Sequence, residues 1–155
     1  AHVVLADAVL RAVADHERII GFKDSSGDLK VFSGFRAAAP RLAALMGGGH
    51  LFYPALEMGA SGAILAIACF AAGQCAALYR AFRAEDRPSA GALQERLTPL
   101  ARDIVGAYGP AGIKMAMELV GLPCGPVRAP LLDVDARARA RIIDVLAAAG
   151  LKAAA

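Results

Sequence analysis

Three short apolar runs, each stopped by glycine or turn residues, constrain this chain more than any other feature. They are "IIGF" (19–22), "LAALM" (42–46) and "GAILAI" (62–67), and each is followed by a helical stretch. Continuous apolar runs of this length suit strands buried on both faces of a parallel sheet, and strands that alternate with helices imply parallel pairing through helical crossovers. The apolar spacing of residues 3–15 predicts an amphipathic helix ahead of the first strand, "RIIGFKDS". Helices are predicted at 29–38, 51–58 and 69–84 between and after the strands. From Pro88 onward the pattern changes. Residues 89–107, 111–120 and 135–148 all read as helices, separated by "GPAG" and "GLPCGPVRAPL". The expected organisation is an α/β part over 1–86 and a helical extension over 87–155. Three strands are fewer than a complete α/β domain uses, since a (β/α)8 barrel takes about 250 residues. The chain is therefore expected to be the C-terminal part of a larger domain.

Composition removes several function classes. The chain is 57% hydrophobic with a net charge of +3, which excludes disorder. Aromatics are 6% and the basic residues form no block, so nothing favours a nucleic-acid partner. Met58 to Tyr79 carries no charge and is long enough to cross a bilayer. However, Gly59, Gly62, Gly73 and Gln74 interrupt it and no aromatic or basic anchors flank it, so a buried strand followed by a buried helix is the adopted reading, with no membrane partner. Cys69, Cys75 and Cys124 are odd in number and form no CxxC, which fits a reducing, cytoplasmic setting. His2, His16 and His50 form no ligand spacing, so neither a metal nor another cofactor is implied.

The candidate functional residue is Lys23 in "IIGFKDSSGDLK". It lies near the C-terminal end of its predicted strand, where ligands bind in both barrels and open parallel sheets. Flanked by Ile20 and Phe22, it is expected to be partly desolvated, which disfavours an ammonium; a free amine attacks carbonyls to form Schiff bases. On local sequence alone the favoured reading is a lysine that pairs with Asp24 or Asp28 at a strand end. The glycines at 47–49 permit a further reading, a phosphate cradle of backbone N–H groups, although "MGGGH" lacks the P-loop spacing.

In their order, "GFKDSSGD", the glycine cluster, "GASGAI", "GPAGIKMAMELVG" and "GPVRAPL" resemble the dihydrodipicolinate synthase and N-acetylneuraminate lyase family of class I aldolases. The resemblance implies strands six to eight of a (β/α)8 barrel and three tail helices. It makes Lys23 the lysine that forms an imine with pyruvate or another 2-oxo acid. It places Gly47 where the family's backbone lies close to the keto acid, and Ile64 where a strand-eight backbone lines the same pocket. It further implies a small-molecule 2-oxo acid as partner and a homo-oligomer, dimer or tetramer. "GGG" stands at 47–49 where synthases often have Gly-Asp-Asp, and Cys69 where they often have Asn. With "GPVRAPL", these departures look more like the 4-hydroxy-2-oxoglutarate aldolase branch, and the 47–50 loop is the candidate for substrate choice. The Thr-Thr segment and the proton-shuttling tyrosine of the family have no match here; Tyr53, Tyr79 and Tyr108 do not fit that motif. The chain alone is expected to be inactive, and a catalytically silent member is the other reading.

Overall fold

A computed structural model describes residues 6–151. Its parallel sheet runs β1 (Gly21–Asp24), β2 (Ala43–Met46) and β3 (Gly62–Ala63), hydrogen-bonded in that order. Among the described residues β1 and β3 each pair on one side only. Helix α1 (Asp7–Val13) precedes β1; α2 (Leu29–Ala38) crosses over to β2; α3 (Phe52–Glu57) crosses over to β3; α4 (Ala68–Arg83) follows it. The part of the predicted first helix that falls on 3–5 lies outside the described residues.

Local chemistry accounts for the turns that deliver Lys23. Asp24 Oδ1 and Oδ2 accept from the Ser26 N–H and Oγ, each at 2.9 Å. Gly27 takes φ +78°, a left-handed conformation open to glycine at no steric cost. Asp28 then caps α2 by accepting from the Lys30 N–H at 2.7 Å. "DSSGD" is thus a self-bonded turn that ends a strand and starts a helix within five residues.

Strand three is shorter than its apolar run. Only Gly62 and Ala63 pair in the strand; Leu65 and Ile67 are buried in the turn that enters α4, while Ile64 is 54% exposed. The uncharged stretch 58–79 accordingly divides into a turn at Gly59 (φ +84°), the short strand and most of α4. No helix among the described residues is long and apolar enough to cross a membrane.

The extension is more continuous than its sequence suggests. Helix α5 (Arg87–Pro99) runs into a π-helical segment, Leu100–Gly106, and that into α6 (Ala107–Leu119). The break expected at "GPAG" is present inside α6, where Gly109 leaves helical geometry (φ 55°, ψ −140°). Helix α7 (Ala136–Ala148), capped by Asp135, is the last helix among the described residues. Leu97, Leu100, Ile104, Ile142 and Leu146 are buried in the same core as Met46, Phe52, Leu56 and Phe70. The two parts expected from sequence therefore share one core. A smaller cluster, Leu10, Ala14, Phe35, Ala39 and Leu42, seals α1 and α2 against β1.

Candidate active site

Register decides which side of the sheet each candidate residue occupies. Lys23 lies opposite Leu45, and Leu45 opposite Gly62; Asp24 lies opposite Met46, and Met46 opposite Ala63. Side chains alternate along a strand, so these are two rows on opposite faces. The Asp24 row is covered by helices: Asp24 is 3% and Met46 0% exposed. The Lys23 row stands on the open face, with Lys23 itself exposed. The ladder continues one residue beyond the strands. Gly47 N–H donates to Asp24 O at 2.6 Å, and Ile64 N–H to Met46 O at 2.9 Å. By the same alternation Ser25, Gly47 and Ile64 form the next row on the face of Lys23, at the C-terminal edge.

The three residues singled out in the sequence are thereby brought to one face and one end of the sheet. The lysine chain lies over the glycine: a Cβ built on Gly47 would stand 2.8 Å from Lys23 Cε. Two local expectations fail. Phe22 does not frame Lys23, because neighbours on a strand point to opposite faces; it packs on the helix side, 5.9 Å edge-on from Phe35. Ile20 is 81% exposed. Among the described residues, then, the desolvation expected for Lys23 is not supplied. Nor does Lys23 pair with Asp24 or Asp28, both of which are engaged in the turn.

The glycine run serves close packing. Gly48 has φ −90° and ψ 113°, which any residue adopts, and a Cβ there would meet nothing nearer than His50 at 3.4 Å. A Cβ on Gly49 would stand 2.7 Å from Ile67 Cδ1 and 3.2 Å from Ala101 Cβ. Positions 47 and 49 are short of space, whereas position 48 is not. With the Gly47 N–H bonded to Asp24 O, the run does not offer three free donors for a phosphate.

A cavity of about 200 Å³ lies against this loop, lined by Gly47, Gly48, His50, Ile67, Ala101 and Val105. Its titratable group is His50, whose pKa is held below the ordinary histidine value, first by burial and then by the positive charge of Arg102. Neutral imidazole is thus the form favoured near pH 7. A larger space, about 400 Å³, borders β3 between Leu45, Gly62, Cys75 and Tyr79. Among the described residues it carries no charged side chain and follows an edge of β3 that pairs with no strand, so it is a gap beside the sheet more than a site. Burial pushes the Cys75 thiol up to about 11, while Cys69, at the start of α4, is exposed. Iodoacetamide at pH 8 is therefore expected to label Cys69 well before Cys75 in the folded chain, as read by peptide mass; equal rates would mean that α4 opens readily. Two of the three tyrosines are occupied elsewhere. Tyr79 OH donates to Ser61 O at 3.3 Å and Tyr53 packs edge-on to Phe82. Among the described residues no group of three or more His, Cys, Asp or Glu is placed to hold a metal ion.

Comparison with known proteins decides the family, for residues 2–149 match the dihydrodipicolinate synthetase family. The chain belongs to that family. The 4-hydroxy-tetrahydrodipicolinate synthase of Acidothermus cellulolyticus is 36% identical over 138 residues, 89% of this chain and 44% of that protein. The one from Methanoculleus marisnigri is 34% identical over 125 residues, 79% of this chain and 43% of its own length. The crystal structure of a dihydrodipicolinate synthase from Bacillus anthracis superposes with a TM-score of 0.87 at 25% identity, covering 94% of this chain and 50% of that one. The chain thus spans about half the length of the relatives it matches. As a synthetase-family chain it carries a partial barrel architecture: three parallel strands with their crossover helices, followed by helices.

Sequence reasoning missed one polar residue at this end of the sheet. Gln94, on α5, is 8% exposed and bonded to the loop that follows Gly47. A glutamine between leucines in an amphipathic helix reads as surface, and no local pattern marks it as buried.

Proposed function

We propose that this family member is a Schiff-base-forming lyase or aldolase acting on pyruvate or a related 2-oxo acid. In this reading residues 1–86 supply the last three β/α units of a (β/α)8 barrel, residues 87–155 its helical extension, and further chain the rest of the catalytic domain. The complete protein would be a cytoplasmic homo-oligomer. The observation that carries the proposal is the placement of Lys23 on the open face of the sheet, its side chain over Gly47, at the C-terminal strand ends where parallel α/β proteins bind ligands.

The chemistry follows from an amine in that place. Lys23 Nζ attacks the C2 carbonyl of the 2-oxo acid; water leaves and an imine forms. In a 4-hydroxy-2-oxo acid the protonated imine then accepts the electron pair of the breaking C3–C4 bond as the 4-hydroxyl gives its proton to a base; the aldehyde departs, and the enamine left on Lys23 takes a proton at C3 and is hydrolysed by water to pyruvate and the free amine. Addition runs the same steps backward. Gly47, lacking a Cβ, lets the backbone approach the keto acid, and the Ile64 backbone lines the same space. The proton donor and the carboxylate-binding groups are not among these three residues, so the chain by itself is expected to be inactive. The outer edges of β1 and β3, unpaired among the described residues, and the relatives' twofold greater length support a larger barrel.

Borohydride reduction of the full-length protein with pyruvate, followed by peptide mass analysis, tests the reading. A reduced pyruvyl adduct on Lys23 is expected. Its absence from a folded sample would rule out the lysine's role and leave a silent family member. The same protein assayed with 4-hydroxy-2-oxoglutarate tests the branch to which "GGG" and "GPVRAPL" point.

A further inference from the structure

Gln94 is the buried polar side chain that ties the helical extension to the glycine loop. Its Oε1 accepts from the Tyr53 N–H at 2.7 Å, and its Nε2 donates to Gly49 O at 3.0 Å and to Thr98 Oγ1 at 3.0 Å. The Thr98 hydroxyl in turn donates to Gln94 O at 2.8 Å, leaving its lone pairs to receive Nε2. This settles the orientation of the amide: reversed, an N–H would face the Tyr53 N–H. Both amide hydrogens and the carbonyl are used, so the network is satisfied, and buried networks of this kind rigidify what they hold.

What they hold is the far half of the loop beside Lys23. The near end is fastened to the sheet, Gly47 N–H to Asp24 O. The far end, Gly49 to Tyr53, is fastened by Gln94 alone among side chains of the described residues. Gly48 and His50 lie between these fixings and line the 200 Å³ cavity next to Gly47. We infer that Gln94 is a positioning residue: it sets the wall from Gly48 to His50 and thereby selects the part of the substrate that extends beyond the keto-acid head. The inference rests on the reading of Lys23 proposed above. It assigns the head of the substrate to Lys23 and Gly47, which Gln94 does not touch, and the remainder to the wall that it does.

The test uses full-length protein and two probes, pyruvate and 2-oxoglutarate, which share a head and differ in length. The concentration of each that gives half-maximal borohydride trapping at Lys23 is measured for the parent, Gln94→Leu, Gln94→Glu and Thr98→Val. Leucine removes all three bonds; glutamate keeps the Tyr53 bond and loses donation to Gly49 O. Both are expected to leave the pyruvate value within about twofold and to shift the ratio of the two probes by on the order of tenfold, the usual effect of unpairing one buried group. Thr98→Val, which leaves the Gly49 bond in place, is expected to keep the parent ratio. A purely structural role would lower the melting temperature and leave the ratio alone, and that result overturns the inference. A parent that forms no pyruvate adduct overturns the Lys23 reading and the inference with it, whereas a parent adduct with unchanged variant ratios overturns the inference only.

Discussion

Replacing Lys23 by alanine in the full-length protein is expected to remove activity by at least about a thousandfold, as when other enzymes lose the group that forms their covalent intermediate. The fold should be nearly indifferent. Lys23 is exposed, stands on the open face and makes no ion pair among the described residues. Surface changes away from special features usually stay within about 0.5 kcal/mol. The contrast with Lys30 sharpens the test, because the two lysines are close in sequence and differ in place. Lys30 is exposed in the first turn of α2, and only its backbone N–H is used, by Asp28. Lys30→Ala is expected to leave activity within about twofold, in line with an exposed helix position. Steady-state turnover and thermal melting of both variants decide. A Lys23→Ala protein that turns over at a tenth of the parent rate would show that the amine forms no essential intermediate.

The strand ends were legible because they are punctuated. "DSSGD" contains its own turn, with Asp24 and Asp28 each bonded two residues ahead, and such local bonds are written in residue types. That Gly47 and Ile64 stand at the same edge as Lys23 was implied only by the family resemblance, since by itself Gly47 reads as a strand-ending turn and Ile64, inside the run at 62–67, as plain core. Three things were not legible, each for a physical reason. The apolar run at 62–67 overstated β3, because Leu65 and Ile67 are apolar for burial under the helices and not for pairing in the sheet. The environment of Lys23 was misjudged from its neighbours in sequence, which alternation sends to the other face. And Gln94 was invisible because its partners, Gly49 O and the Tyr53 N–H, are backbone atoms more than forty residues away. Backbone partners leave no side-chain signature, so no residue at 49 or 53 advertises the bond.

Replacing Gly47 by valine is expected to harm both the fold and imine formation, where the family resemblance pointed mainly to substrate binding. The new Cβ would collide with the Ser25 hydroxyl and stand 2.8 Å from both Asp24 O and Lys23 Cε. These neighbours differ in how far they can yield. The lysine chain is flexible and can swing aside, which takes the amine from its place above position 47. Asp24 O is backbone and accepts the Gly47 N–H at 2.6 Å, so relief there means parting β1 from β2 at the C-terminal end of the strands. Overpacking of this kind costs about 1–3 kcal/mol, against a total of about 5–15 kcal/mol for a typical protein. Most molecules should therefore remain folded, with a melting temperature lower by several degrees and a much reduced yield of trapped pyruvate on Lys23. Gly48→Val is the control. Its backbone is in the ordinary extended region and its nearest neighbour is the side-chain ring of His50 at 3.4 Å, so it should melt with the parent and keep the adduct. If both variants behave alike, the loop needs flexibility and not space. If Gly47→Val melts and traps as the parent does, Lys23 does not work over position 47, and the geometry on which the imine reading rests is wrong.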